Sequence, residues 1–406
     1  MSTSESASTQ RFRLAARYRP DPLIPEPQFV ETAAYHTSLG KMARSPRAWL
    51  EWIIALASVV GFLVIVGLVV SRSGVMASTL GIIAAAVPLL VVTGTFVWID
   101  RWEPEPVWLC VLAFAWGAGV ATSLALVSNT TMQMMLGAAT TNPDDAEALT
   151  ASVVAPVVEE TLKGIGVVIV MLARRRSVTS PLDGVVIAGL VGAGFAFTEN
   201  ILYFLNAGDE ILVVFILRAI LSPFCHSMFT SLIGLAMAIA LTRLRRRRAW
   251  MGTVPVGWAS AVVLHSLWNG LASFTEGSFV RSYVLFWLPF FFGWFLIISL
   301  SAAKQRRWIR AGLQAFAEAG WLHPGEVEMV TSLTWRRFAK RRARAVSRRA
   351  ARAMRDFQHA AARLGLTYVA SVRLGSSPER AEMTRSELSA LVAARSVVAA
   401  ERGEHA

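Results

Sequence analysis

Residues 153–164 read VVAPVVEETLKG, and they set Glu159, Glu160 and Lys163 inside a run that is otherwise largely apolar from Ala155 to Leu172. Charged side chains are expensive in hydrocarbon and persist there where they face a protein interior or a water-filled cavity. Whether this run crosses a bilayer therefore decides both the fold class and the place where chemistry is to be sought.

The composition answers the first question. Of 406 residues, 54% are hydrophobic and 17% charged, with a mean hydropathy of +0.49. A soluble domain does not carry that balance, and the expected fold is an all-α, polytopic membrane helix bundle. Apolar runs of about 20 residues, the length that spans a hydrocarbon layer, begin near Trp49, Met76, Val107, Ala151, Gly184, Leu212, Val254 and Ser282, which gives eight candidate transmembrane helices. The first 48 residues are polar, with no apolar core of a cleavable signal peptide among them. Cys110 and Cys225 both lie in apolar segments and form neither a disulfide framework nor a thiolate metal set.

The net charge is +13, and the basic clusters that stand beside the apolar runs are of the kind that orients a membrane protein. Lys41, Arg44 and Arg47 precede the first run, Arg101 follows the second, Arg174 to Arg176 the fourth, and Arg243 with Arg245 to Arg248 the sixth. Asp144, Asp145, Glu147, Asp209 and Glu210 fall in the alternate loops. Arg72 and Arg281 are minor exceptions, and the alternation predicts a multi-pass protein of the cell membrane with both termini cytoplasmic.

Three regions follow: a polar cytosolic segment 1–48, a membrane domain 49–302, and an arginine-rich cytosolic tail 303–406. Within the tail, WRRFAKRRARAVSRRAARAMRDF (335–357) and SSPERAEMTRSELSALVAARSVVAA (376–400) read as helices. Basic helices are drawn to anionic leaflets, so membrane lipids are the expected partner of the tail. No nucleic acid is expected, because no recognition motif accompanies the charge.

Polar groups crowd into four of the runs. The run from Ala151 carries Glu159, Glu160 and Lys163; that from Gly184 carries Glu199 and Asn200; that from Leu212 carries His226; and that from Val254 carries His265 and Asn269. At about 1.5 Å of rise per residue, these positions fall in one layer of the outer half of the membrane. Residues four apart share a helix face. Gly184, Ala188, Gly192, Ala196 and Asn200 make one such ridge, Ser222, His226, Thr230 and Gly234 a second, and Gly257, Ala261, His265 and Asn269 a third. Small residues allow close helix approach in lipid, so each ridge is suited to bring its polar group to a common centre. The other four runs have no ionisable residue near their middles and read as scaffold.

The chemistry is left with alternatives at this point. Glu159 and Lys163 on one face form a neutralised pair, which leaves Glu160 unexplained. Adjacent carboxylates in a low dielectric resist ionising together, and that separation prepares one as base and the other as acid. Two histidines with a carboxylate also suit a divalent metal such as zinc, with His226, His265 and Glu160 as candidate ligands. Cys225 reads as packing and Arg218 as a snorkelling residue at the interface.

Taken together, EETLK (159–163), FAFTEN (195–200), the histidine of SPFCHS (222–227), HSLWN (265–269) and the loop DRWEPEP (100–106) resemble the PrsW family of intramembrane proteases. The wider likeness is to the CAAX prenyl protease and bacteriocin-processing superfamily. The resemblance covers roughly residues 90 to 300 and implies hydrolysis of a peptide bond in a membrane-spanning substrate, of the anti-sigma-factor kind. It implies a catalytic set of Glu159, Glu160, Glu199, His226, His265 and Asn269, supported by Lys163 and Asn200. The rivals are a proton- or ion-coupled transporter, since membrane Glu and His also form proton relays, and a non-catalytic scaffold acting through its basic tail.

Overall fold

In the computed structural model, the described residues are 23–24, 48–140, 142–175, 178–244, 248–274 and 279–403, and they are helical with connecting turns. The N-terminal segment up to residue 47 (Leu23 and Ile24 apart), with its Lys41, Arg44 and Arg47, lies outside them, as do Arg176 and Arg245 to Arg247. Contacts divide the chain into two units, Met42–Arg306 and Arg307–Ala406 with Met1–Lys41.

The first unit opens with α1, Ala48–Ile99, interrupted at Gly74, whose φ of 78° no helix accommodates. Ile65 and Val69 before that break and Ala85 after it pack with Ile201 and Phe204 of a later helix, so both halves of α1 flank the same partner. The loop 100–106 then folds on itself, with Asp100 Oδ2 accepting from the Glu105 amide at 2.6 Å and Glu103 accepting from the Thr179 hydroxyl. Burial pushes the Asp100 carboxyl well above the usual range. Helix α2 (Val107–Ala139) contains a π-helical turn at Trp116–Ala121.

Helix α3 (Ala155–Ala173) carries the two glutamates. Ser180 and Asp183 form a capping box that starts α4 (Pro181–Asn206). The next polar run is broken: the short α5 (Ile211–Phe215) passes into a π-helical turn at Ile216–Leu221, and α6 (Cys225–Arg243) begins only after Pro223. Proline removes a helical hydrogen bond, which accounts for the break just before His226. Helices α7 (Trp250–Phe274) and α8 (Leu288–Glu318) follow.

Close helix approach is written in the glycines. A Cβ on Gly184 would meet the Gly234 carbonyl oxygen, and one on Gly192 would lie 2.6 Å from that of His226. Helix α4 thus docks on α6 through the two ridges read from the sequence, and Gly257 of α7 sits equally near the Leu232 carbonyl, at 2.6 Å from its ideal Cβ. Gly192→Leu is expected to cost about 1–3 kcal/mol by overpacking and to lower the melting temperature in detergent. Gly137→Ala, with nothing within 4 Å of the added Cβ, is expected to leave it unchanged or slightly raised.

Among the described residues, five stretches are long and apolar enough to cross a membrane: Trp49–Ile99, Val107–Ala139, Pro181–Asn206, Gly208–Thr242 and Val280–Glu318. The expected count of eight is therefore not reproduced by length and composition. The runs from Trp49 and Met76 form one continuous stretch, α3 falls outside the set because it carries Glu159, Glu160 and Lys163, and α7 because its polar residues lower its hydropathy. Large exposed apolar side chains along α1, among them Trp52, Leu56, Leu63, Leu80 and Leu90, form the surface a lipid tail would cover.

The second unit is helical and has a buried core of its own. The stretch 335–357 is split at Ser347, which caps α11 (Arg348–Leu374) after α9 (Pro324–Thr331) and α10 (Leu333–Val346). Gly375, at φ 86°, ends α11, and α12 (Pro378–Glu401) follows. Phe357, Ala361, Leu364, Leu391 and Ala394 form a buried core between them. Glu326 accepts two hydrogen bonds from Arg395, at 2.7 and 3.0 Å.

Candidate active site

Helices α3, α4, α6 and α7 deliver their polar side chains to one buried cluster. Glu160, on which no solvent-accessible surface remains, is held on every side: Oε1 is 2.9 Å from Lys163 Nζ and 3.0 Å from His265 Nδ1, and Oε2 accepts from the Thr230 hydroxyl at 2.9 Å. Glu159 is held more loosely. Its Oε2 lies 3.4 Å from Lys163 Nζ and 3.9 Å from His265 Nε2, and its Oε1 accepts from Asn129 Nδ2 at 3.3 Å.

Lys163 Nζ stands at the middle of the cluster. Besides both glutamates it meets His226 Nδ1 at 3.0 Å, and it lies 3.8 Å above the centre of the Phe195 ring. His226 Nε2 in turn reaches Glu199 Oε2 at 2.8 Å, and Arg218 pairs with that same oxygen at 2.7 Å. The two imidazoles stand edge to face, with centroids 5.0 Å apart, and Phe229 stacks on His265 at 5.3 Å.

These partners fix the protons. A carboxylate accepts and an ammonium donates, so His226 carries its proton on Nε2, toward Glu199, and turns a lone pair on Nδ1 toward Lys163. His265 donates from Nδ1 to Glu160 and keeps its lone pair on Nε2, on the Glu159 side. Each histidine thus has its far N–H held by a carboxylate, the arrangement that orients metal-binding imidazoles.

Glu159, His226 and His265 offer donor atoms that all lie within 4.8 Å of one another, the one such group among the described residues. In donor type and in the carboxylates behind each imidazole, the residues fit a divalent cation. The structure groups Glu159 with the histidines where the sequence put Glu160, because the oxygens of Glu160 are taken up by Lys163, His265 and Thr230.

Two residues of the expected set stand apart from these contacts. Asn269 donates to the Ala151 carbonyl oxygen at 2.9 Å and so ties α7 to the turn before α3. Asn200 is buried on α4 but makes no hydrogen bond to either histidine among the described residues.

Three contributors were missed by sequence reasoning. Asn129 reaches Glu159 from α2, a helix read as scaffold, and its own Oδ1 is buried without a hydrogen-bond partner. Its signal was an amide in an apolar span. Thr230, seen only as part of a ridge, is a direct partner of Glu160. Arg218, read as snorkelling, instead clamps Glu199 and lies over the Tyr203 ring at 3.6 Å. Arg218→Gln is expected to cost about 1.5–3 kcal/mol, the range for hydrogen bonds to charged groups. The check is a melting curve beside that of Arg218→Lys, which is expected to recover part of the loss.

Residues 105–294 match the family model described as PrsW family intramembrane metalloprotease. The chain is also similar to two curated proteins, each named Protease PrsW. The one from Geobacillus kaustophilus (strain HTA426) is 33% identical over 94 residues, 22% of this chain and 38% of that protein. The one from Clostridioides difficile (strain 630) is 31% identical over 155 residues, 37% of this chain and 61% of that protein. The chain therefore matches less than two thirds of the length of either relative. No solved structure matches it. Glu159, Glu160, Glu199, His226 and His265 all lie inside the segment that matches the PrsW family model.

Proposed function

We propose that this chain is an intramembrane endopeptidase that hydrolyses a peptide bond of a membrane-spanning protein. The observation that carries this is the pair of carboxylate–histidine couples, Glu199 with His226 and Glu160 with His265, converging on Glu159 in a buried cluster. Resemblance to the family supports a single-pass substrate of the anti-sigma-factor kind, cut near its outer end.

Glu159 is the carboxylate best placed to take a proton from the attacking water, since its contacts are long and those of Glu160 are saturated. The unpartnered Asn129 Oδ1 is an acceptor for the other proton of that water. Glu160 and Glu199 hold His265 and His226 in one tautomer and one orientation, and His265 Nε2, facing Glu159, relays the proton to the leaving amine. Asn269 supplies a donor to the developing oxyanion after it gives up Ala151. Were a divalent metal such as zinc held by Glu159, His226 and His265, it would supply Lewis acidity and a lowered pKa for bound water, in place of the base role of Glu159.

The membrane reading is finer than the five apolar stretches. Eight crossings follow if α1 crosses twice, on either side of Gly74, and if α3 and α7 cross with their charges shielded by the surrounding helices. The arginine distribution then places both termini in the cytoplasm. The region boundaries at 48/49 and 302/303 belong to the same reading, as do anionic lipids as partners of the basic second unit.

The test is cleavage of a tagged single-pass reporter by purified protein in detergent. Loss of cleavage in Glu159→Gln and His265→Ala, at equal expression, is the expected outcome. Cleavage by neither wild type nor variants across several reporters would turn the assignment toward transport or scaffolding.

A further inference from the structure

The lone pair that His226 offers to a metal is not free: it points at Lys163. We infer that the Lys163 ammonium is a tethered cation occupying the metal's seat at His226, so that a divalent ion and the Lys163–His226 contact exclude one another. The inference rests on Glu159, His226 and His265 being the metal-holding set, and it does not depend on which substrate is cleaved.

Glu199 takes the Nε2 proton of His226 at 2.8 Å, so the lone pair lies on Nδ1, and Lys163 Nζ sits 3.0 Å along it. A zinc ion would bind that nitrogen at about 2.0–2.1 Å, in the space through which the Lys163 hydrogen bond now passes. The same Nζ lies 3.4 Å from Glu159 Oε2, so the ammonium touches two of the three residues that converge. Two positive charges this close, in a largely buried site, repel strongly.

Lys163 also has a second seat. Its 2.9 Å contact with Glu160 Oε1 involves a residue outside the metal-holding group and can be kept when the contacts to His226 and Glu159 are given up. The lysine therefore moves a short way toward Glu160 rather than being expelled. Its charge offsets part of that of the two buried glutamates, Glu159 and Glu160, while Arg218 pairs with Glu199. Chelation is accordingly expected to leave the fold intact, unlike that of structural zinc modules, which unfold without metal.

The experiment uses the full chain in detergent, stripped with a chelator and dialysed against buffered zinc, with bound zinc per chain as the readout. Lys163→Met and Lys163→Gln are expected to reach half-loading at a free zinc concentration at least ~10-fold lower than wild type, the repulsion having been removed. Adding His226→Ala to Lys163→Met is expected to abolish that gain.

Equal half-loading in wild type and both neutral variants would overturn the inference. So would a gain that survives loss of His226, or folded variants that take up no zinc. Wild-type protein that loads at the nanomolar free zinc of preformed sites would overturn it without any variant. Because zinc uptake and reporter cleavage are read separately, failure of the protease assignment leaves this result standing, and the converse holds.

Discussion

Glu159→Gln is expected to lower reporter cleavage by about 10²–10⁴-fold, the usual contribution of a positioned general base, with little change in melting temperature. The two halves of that expectation come from different contacts. Glu159 is bound by an amide at 3.3 Å and an ammonium at 3.4 Å, with His265 Nε2 farther off at 3.9 Å. Glutamine has the same shape and retains the acceptor that Asn129 uses. Lys163 keeps Glu160 at 2.9 Å and so is not left unpaired. What glutamine cannot do is accept a proton from water. The measurement is a time course of cleavage together with a melting curve on the same preparation. Activity within a factor of ten of wild type would remove Glu159 from the role of base, and a collapsed melting curve would show it to be structural.

The site was legible because lipid makes polar residues conspicuous. Inside an apolar run, a charge has to find a partner, so Glu159, Glu160, Lys163, Glu199, His226 and His265 announced one another from four separate segments. The docking ridges were legible for a related reason: spacing of four fixes a face, and Gly184 against Gly234 shows the faces meeting. Pairing within the cluster was not legible. Adjacent residues on a helix point about 100° apart, and sequence alone does not say which of Glu159 and Glu160 turns toward His265. The answer depends on helix rotation, which packing sets. Arg218 misled because an arginine in a long apolar run looks the same whether it snorkels or pairs. Asn129 was missed since a neutral amide costs little in a span. The packing of the second unit was not legible because arginine dominates its composition, although Ala350, Ala353, Phe357, Ala361 and Leu364 recur along one face of α11 and are buried. The family came from motif resemblance, which composition and periodicity did not supply.

Glu160→Ala is expected to be the most destabilising single change in the cluster, at about 3–5 kcal/mol, the cost of removing one partner of a buried ion pair. Its carboxylate satisfies Lys163, His265 and Thr230 together, and alanine leaves all of them short of an acceptor. Lys163 would then depend on Glu159 at 3.4 Å, and His265 would lose the hydrogen bond that fixes its tautomer. Cleavage should fall with stability, in contrast to Glu159→Gln. The contrast can be sharpened with a second change. Replacing both members of a buried pair by apolar groups often costs less than breaking the pair, so Lys163→Met on the Glu160→Ala background is expected to recover part of the lost melting temperature. A cycle of wild type, both single variants and the double variant measures that coupling, and contacting residues in one network typically give 0.5–3 kcal/mol. Additive losses within about 0.5 kcal/mol would mean that Glu160 and Lys163 act independently, and the central place given to Lys163 would have to be abandoned.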